Sequence, residues 1–463
     1  MTETGPTPPN LYGRALEAHR AGDAAQAEKL CQAALRARPG HPEALYLLAV
    51  VRQRQGHGDS ALEPLDRLLK LRPDHAAAHA LRGNVLKAMA RFEEAVASYD
   101  RALAIRSDLA DTLNNRALAL QELQRFGEAM ESFDWAVRLE PDHAELRFNR
   151  AYLLLLLGRF AEGWPEYEWR RRRQGWNRRT SPLPEWTGQD IAGKRVFLYA
   201  EQALGDTLQF ARFVGWVKQL GAEVIFGVPP GLGALLARLD CAAAIVRPGE
   251  KLPEFDLHAP LMSLPNILGF VPGRTPSRVP YLSADPALVA HWSRRLPGDG
   301  VRVGIAWQGN PLAPDQGRHI PLGAFAPLSR VPGVALISLQ KGAGLEQLAG
   351  LPAGMTVATL GAEFDAGPDL FLDTAAVMMK LDLVVTSDTA VAHLAGALGR
   401  PVWVALRHVP DWRWMLLLDD SPWYPSARLF RQTTAGDWDG VFARVAAALA
   451  GFAAEAQRRG VAE

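Results

Sequence analysis

The sequence predicts two architectures in tandem: an α-helical repeat superhelix over residues 10–175, then an α/β module of two strand-and-helix halves over 195–290 and 300–463. Three observations predict this. Pro39, Pro73 and Pro141 are spaced by 34 residues or twice 34. From Arg195 onward, short apolar runs alternate with helical segments. A Pro-rich break at 271–286 then divides those runs into two sets. At 463 residues, 48% apolar and 22% charged, the chain is too long for one ordinary core.

Charge and cysteine content exclude several function classes. Lys plus Arg number 51 against 50 Asp plus Glu, so there is no global cationic field to drive indiscriminate nucleic-acid or anionic-membrane binding. Cys31 and Cys241 lie far apart in segments of different character, which offers neither a disulfide framework nor a Cys-based metal site. The opening MTETGPTPPN has no basic or apolar signal region, and the longest purely apolar run, 151–157, falls far short of the roughly 20 residues of a membrane helix. The expectation is a cytoplasmic protein with a disordered 1–9 segment, no membrane span and no nucleic-acid partner.

The repeat register is carried by more than proline. Ser107 fills the missing proline slot, ahead of an Asp108 that matches Asp74 and Asp142. Arg91-Phe92, Arg125-Phe126 and Arg159-Phe160 return at the same period, as do Ala27, Ala61, Ala95 and Ala129, where paired helices must approach closely. These matches, with "RFEEAVASYDRALAIRSD" and "RFGEAMESFDWAVRLEPD", resemble the tetratricopeptide repeat. Four repeats are expected from about Pro8 to Glu140, with a fifth decaying into "GWPEYEWRRRRQGW". Such pairs stack because no pair covers its own apolar face, and the stack coils around a concave groove.

Asn115 and Asn149 share one repeat position on the first helix of their repeats, and Asn84 lies three places further along in its own. Their amides either bond an extended acceptor in the groove or merely solvate its surface. The run Arg170–Arg173, with Arg178, Arg179, Trp169 and Trp176, is read as a helix terminus with packing tryptophans in preference to a phosphate-backbone site. Residues 176–194 read as a linker.

The expected strands are 195–200, 223–228, 243–246, 256–261, 301–307, 334–340, 381–386 and 401–406, forming two Rossmann-like halves. Ligands of open α/β sheets bind beyond the carboxyl ends of strands, so the loops after these runs are where chemistry is expected. In "LDLVVTSDTAVAHLAGALGRPVWVAL" a strand runs into Ser387-Asp388-Thr389 and a helix then extends to Gly399. Its first turn offers free backbone N–H groups, an anion site, with Thr389 and His393 on one side. The plainer alternative makes Asp388 a helix cap and His393 a satisfied core histidine.

"SDTAVAHLAGALGRPVW", together with "EQALGDTLQFARF" and "VGIAWQGNP…RHIPL…LISLQKG", resembles the heptosyltransferase-like bacterial glycosyltransferases, which have the GT-B double-Rossmann fold. The resemblance covers roughly Lys194 to the C-terminus. The joining of repeats to this module is also similar to O-linked N-acetylglucosamine transferases.

The resemblance implies a donor site for a nucleotide sugar at Asp388, Thr389, Ala390 and His393. It also implies a basic residue after the first strand of the second half, here Arg318, with His319 as the alternative. Lys341 either reaches the nucleotide or is a solvated loop residue. In the first half Gly205-Asp206 occupies the position where this family places its catalytic base; Asp206 is the candidate, Glu201 the fallback, and Gly205 lies against the substrate. Proton removal from an acceptor hydroxyl calls for such a carboxylate, while fixed positive groups hold the leaving diphosphate. Asp206 as a helix cap is the competing role, and the two can coexist. Asp437-Trp438-Asp439 reads as capping the last helix, and no metal or other cofactor is expected. The loop of Trp412, Trp414, Trp423 and Tyr424 is read as core packing.

The expectation is thus a metal-independent glycosyltransferase for hexosyl or heptosyl transfer, with a protein or glycan acceptor recruited by the repeats. The competing class is a non-catalytic, protein-binding repeat scaffold with a degenerate or ligand-sensing GT-B module.

Overall fold

The computed structural model describes residues 10–176, 181–239, 241–273, 279–297, 300–311 and 317–460. Residues 1–9, expected to be disordered, lie outside these, as do Arg178, Arg179 and the middle of the polar loop before Arg318. The chain divides into two compact units, residues 10–153 with 169–174 and residues 154–168 with 175–460.

Ten helices among the described residues form the repeats: α1 (Leu11–Arg20), α2 (Ala24–Ala37), α3 (Pro42–Arg54), α4 (Gly58–Leu71), α5 (Ala76–Ala88), α6 (Phe92–Ile105), α7 (Ala110–Glu122), α8 (Phe126–Leu139), α9 (Ala144–Leu156) and α10 (Phe160–Tyr167). Ala27, Ala61, Ala95 and Ala129 are fully buried where the helices of a pair meet. A ladder not read from the sequence joins successive repeats. Arg82 reaches Asp66 at 2.9 Å and Ser98 at 2.8 Å, and Arg116 reaches Asp100 and Ser132, both at 2.6 Å. Each arginine thereby bridges the second helix of the preceding repeat to that of its own. Arg150 meets Asp134 at 2.7 Å in the same register.

In this region the end of the array differs from the expectation, while the arginine run follows it. The fifth repeat does not decay at once, because α10 forms despite Pro165, and the boundary between units falls inside α9, with 154–168 packing into the α/β unit. The arginine run is occupied by packing: Arg170 is buried, Arg172 lies 4.3 Å over Trp169, and Arg173 pairs with Glu145 at 2.6 and 2.9 Å.

The first sheet holds β1 (Arg195–Tyr199), β2 (Glu223–Gly227), β3 (Ala244–Val246) and β4 (Leu257–Pro260), all parallel in the order β3-β2-β1-β4. Its helices are α11 (Leu204–Phe210), α12 (Arg212–Gln219), α13 (Gly233–Leu236) and α14 (Leu264–Ile267). The second sheet holds β5 (Val301–Ala306), β6 (Val334–Ser338), β7 (Leu383–Ser387), β8 (Val402–Leu406) and β9 (Ala427–Arg431), parallel in the order β6-β5-β7-β8-β9. Around it lie α15 (Pro286–Ser293), α16 (Ala326–Ser329), α17 (Leu372–Met378), α18 (Ala390–Ala397) and α19 (Trp438–Gly460). Two Rossmann-like halves are therefore present, and β9 is an added fifth strand.

Boundaries within this unit also shift. The segment expected to be a linker is built into the first half: Trp186 and Ile191 are buried, and Trp186 N–H donates to the His258 carbonyl at 2.8 Å beside β4. Helix α15, expected within the first half, packs on α17 of the second, where the Trp292 indole donates to Asp373 at 2.8 Å. Helix α19 covers the second sheet with Val441, Phe442, Val445 and Leu449, a stripe at helical spacing that is fully buried.

Candidate active site

The site begins where β7 ends. All of β7 is buried, and Thr389 then takes an extended conformation (φ −141°, ψ 173°) at the N-cap position of α18, without a side-chain bond to the helix. Its hydroxyl lies 3.3 Å from that of Thr386, and the first N–H groups of α18 open at the sheet's carboxyl edge. Helix α11 arrives from the first half and presses its start against the start of α18. A Cβ on Gly205 would stand 3.1 Å from His393 Cδ2 and 3.5 Å from the Ala390 Cα, so glycine is what permits the approach.

Arg413, in the loop after β8, ties these parts together. It donates to Asp206 Oδ1 at 2.5 Å, to Gln209 Oε1 at 2.7 Å and to Asp411 Oδ1 at 2.9 Å, and its guanidinium lies 4.3 Å over Trp412. Asp206 Oδ2 accepts the Ala203 N–H at 3.1 Å, so the capping role is filled by one oxygen while the other meets Arg413. Burial pushes the Asp206 carboxyl above the ordinary range, against the pull of Arg413. Asp388 is buried beside Asp411 and is raised to about 6, first by burial and then by that like charge, with Arg318 and Arg413 opposing. His393 is 4% exposed, with Nδ1 3.0 Å from Tyr424 Oη and its ring stacked on Trp414. Burial and the Arg413 charge lower it to about 3, so the imidazole is neutral.

The sequence-derived candidates thus separate. Gly205, Asp206, Asp388, Thr389, Ala390 and His393 come together, and the Arg318 charge bears on Asp206, Asp388 and His393. His393 is held by packing on its ring face and at Nδ1, which leaves its Cδ2–Nε2 edge toward Gly205 and the start of α18. Arg318 Nε and His319 Nε2 are buried without a hydrogen-bond partner among the described residues. Glu201 is half-buried in the loop between β1 and α11. Lys341 is held elsewhere, its ammonium donating to the Phe364 carbonyl at 2.5 Å. In the repeats the three asparagines are half-buried and already engaged: Asn84 accepts from Tyr99 at 2.9 Å, Asn115 accepts from Lys87 at 2.6 Å, and Asn149 donates to Asn114 at 3.0 Å.

Sequence reasoning missed Arg413, Asp411, Gln209 and Gln340. Gln340 is buried at the end of β6 and satisfied on both amide atoms: its oxygen accepts from Trp307 and Gln308, and its nitrogen donates to Gln308 and Ala343. The available signal was a polar residue inside an apolar run, as in "LISLQKG" and "TLQFARF". Trp412, Trp414, Trp423 and Tyr424 are buried. Asp437 accepts the Gly440 N–H at 2.8 Å, the geometry of a helix cap. Among the described residues no helix is long and apolar enough to cross a membrane.

Comparison with known proteins finds matches in both parts. Tetratricopeptide-repeat families match residues 18–85, 76–109 and 114–167, and glycosyltransferase family 9 (heptosyltransferase) matches residues 334–406. Protein FlbA of Caulobacter vibrioides is 32% identical over 295 residues, which is 59% of this chain and 49% of that protein; the chain spans about half the length of this curated relative. Among solved structures, MamA from Desulfovibrio magneticus RS-1 is 20% identical over 35% of this chain and 90% of that one, with a TM-score of 0.32. A thermophilic tetratricopeptide-repeat protein of Thermus thermophilus is 24% identical over 36% of this chain and 92% of that one, also at 0.32.

Proposed function

We propose, from a chain that joins tetratricopeptide repeats to a glycosyltransferase family 9 domain, that it transfers a sugar from a nucleoside-diphosphate donor to an acceptor hydroxyl. The observation that carries the reading is the meeting of Asp206 and Arg413 with the start of α18 at the carboxyl ends of two parallel sheets. Asp206 accepts the proton of the acceptor hydroxyl, with Glu201 in the same loop as the fallback. The acceptor oxygen bonds to the anomeric carbon as the bond from that carbon to the diphosphate oxygen breaks. Negative charge growing on the leaving diphosphate meets the α18 N–H groups, the Thr389 hydroxyl and the Arg318 and Arg413 guanidiniums, so the reaction proceeds without a metal ion. The repeat groove recruits the acceptor, a protein or glycan, through amide nitrogens of Asn84 and Asn115 that are not engaged in the contacts above.

The test is release of nucleoside diphosphate from a panel of nucleotide sugars in the presence of candidate acceptors. Release by the wild-type chain, with loss in Asp206→Asn, is expected. Wild-type protein that binds none of the panel would leave a repeat scaffold as the reading.

A further inference from the structure

We infer that Tyr424, backed by Arg212, fixes the His393 ring in the tautomer whose Nε2 carries the hydrogen and presents it to an anionic ligand at the start of α18. That ligand is the donor diphosphate under the reading above, on which this part of the inference rests.

The geometry leaves the ring little freedom. His393 Nδ1 is 3.0 Å from Tyr424 Oη, and the ring lies 5.5 Å from Trp414 at an interplanar angle of 18°. On the far edge, Cδ2 faces Gly205, where even a Cβ would come within 3.1 Å; Nε2 shares that edge. A neutral imidazole has one N–H, so the partner at Nδ1 decides which nitrogen holds it.

Tyr424 is placed to donate. Arg212 is buried and has only donors; it uses Nε on the Gln209 carbonyl at 2.9 Å and Nη1 on the Trp423 carbonyl at 2.8 Å. Its guanidinium lies 4.7 Å from the Tyr424 ring centre and 4.9 Å from that of Tyr281. Tyr281 gives its own hydrogen to the Leu208 carbonyl at 2.8 Å and accepts from Arg212 at 3.4 Å. A buried cation against a phenol draws electron density from its O–H and makes it the better donor, which directs the Tyr424 hydrogen to Nδ1. The surroundings favour the same tautomer. Arg318, Arg413 and the helix terminus gather anions, and an Nε2 lone pair facing an anion is repelled where an Nε2–H adds a hydrogen bond. Tyr424 and Arg212 are positioning residues: they act on the ligand through His393.

The test uses the full chain labelled with ¹⁵N-histidine at pH 7, the His393 signals being those lost in His393→Gln. Long-range proton–nitrogen correlation is expected to show Nδ1 without and Nε2 with a proton, and a mixture of tautomers in Tyr424→Phe. Binding is read with ADP, UDP, GDP and CDP. Tyr424→Phe is expected to weaken the bound nucleotide about tenfold, in line with the loss of one hydrogen bond to a charged group. His393→Gln, whose amide can supply a donor near the Nε2 position, should hold affinity within about threefold while His393→Ala loses about tenfold. This pair decides the matter even if Tyr424→Phe does not fold. An Nδ1–H tautomer in the wild type, or equal affinity of the Gln and Ala variants, overturns the inference. If the wild type binds none of the four nucleotides, the donor reading has failed, and the nitrogen spectrum alone decides the tautomer.

Discussion

Asp206 meets a backbone N–H with one oxygen and a guanidinium with the other, and the two contacts have separable consequences. In Asp206→Asn the amide oxygen can still accept the Ala203 N–H, but Arg413 loses the Asp206 carboxylate while keeping its contacts with Asp411 and Gln209. The expected outcome is a loss of turnover of about 10²–10⁴ with donor binding retained, measured by nucleotide release. A stability loss of about 1–3 kcal/mol by denaturant titration should accompany it.

The Asp388 and His393 shifts make opposite predictions for pH. His393 is lowered to about 3, so between that value and its ordinary 6.5 the unfolded chain binds more protons, and stability rises with pH. Asp388 is raised to about 6, so between its ordinary 3.8 and that value the folded chain binds more protons, and stability falls as pH rises. In the wild type the slopes oppose each other between about pH 4 and 6. Asp388→Asn should unmask the rising slope and His393→Gln the falling one, each up to about 1.4 kcal/mol per pH unit, read from denaturation midpoints at several pH values. Equal slopes in the two variants would contradict both shifts.

The close spacing of Asp388, Thr389 and His393 within one strand–helix segment made them legible in the sequence. Arg413 was not, because its partners Asp206 and Gln209 stand about two hundred residues away in the other half, and no local pattern records that meeting.

At the scale of elements, periodicity found what repeats and missed what is singular. Strand β9 escaped because Arg428 and Arg431 interrupt its short apolar alternation, and because the aromatic loop ahead of it has no period. The sequence reads α10 as part of a decaying fifth repeat, yet its apolar side packs within the α/β unit. Trp164 is 3% exposed, its indole donates to the Phe270 carbonyl at 2.7 Å, and its ring meets Trp412 edge-on at 5.4 Å. Trp412 in turn carries the Arg413 guanidinium on its face. Trp164→Ala should therefore cost about 3–5 kcal/mol by denaturant titration and raise the KM for donor by loosening the Arg413 loop. A variant with lowered stability and unchanged donor affinity would confine α10 to packing.

For the whole molecule, the point at which the chain divides decides which pieces can stand alone. A cut at the end of the repeats as the sequence reads them, giving a fragment of residues 176–463, removes Phe160, Trp164 and Tyr167 from the α/β unit. All three are nearly fully buried there, against Trp412 and Trp423, which are themselves 0% exposed. At about 1.5–3 kcal/mol for each large apolar side chain, their removal costs a substantial part of the roughly 5–15 kcal/mol that holds a domain folded, and it uncovers the aromatic floor beneath the Arg413 loop. A fragment of residues 154–463 keeps that floor covered. It should unfold in one cooperative transition and bind the same nucleotide as the full chain, whereas the 176–463 fragment should show a markedly lower midpoint and weak binding. Matching midpoints and affinities for the two fragments would mean that α10 contributes nothing to the α/β unit, and the division would then belong after Gln174.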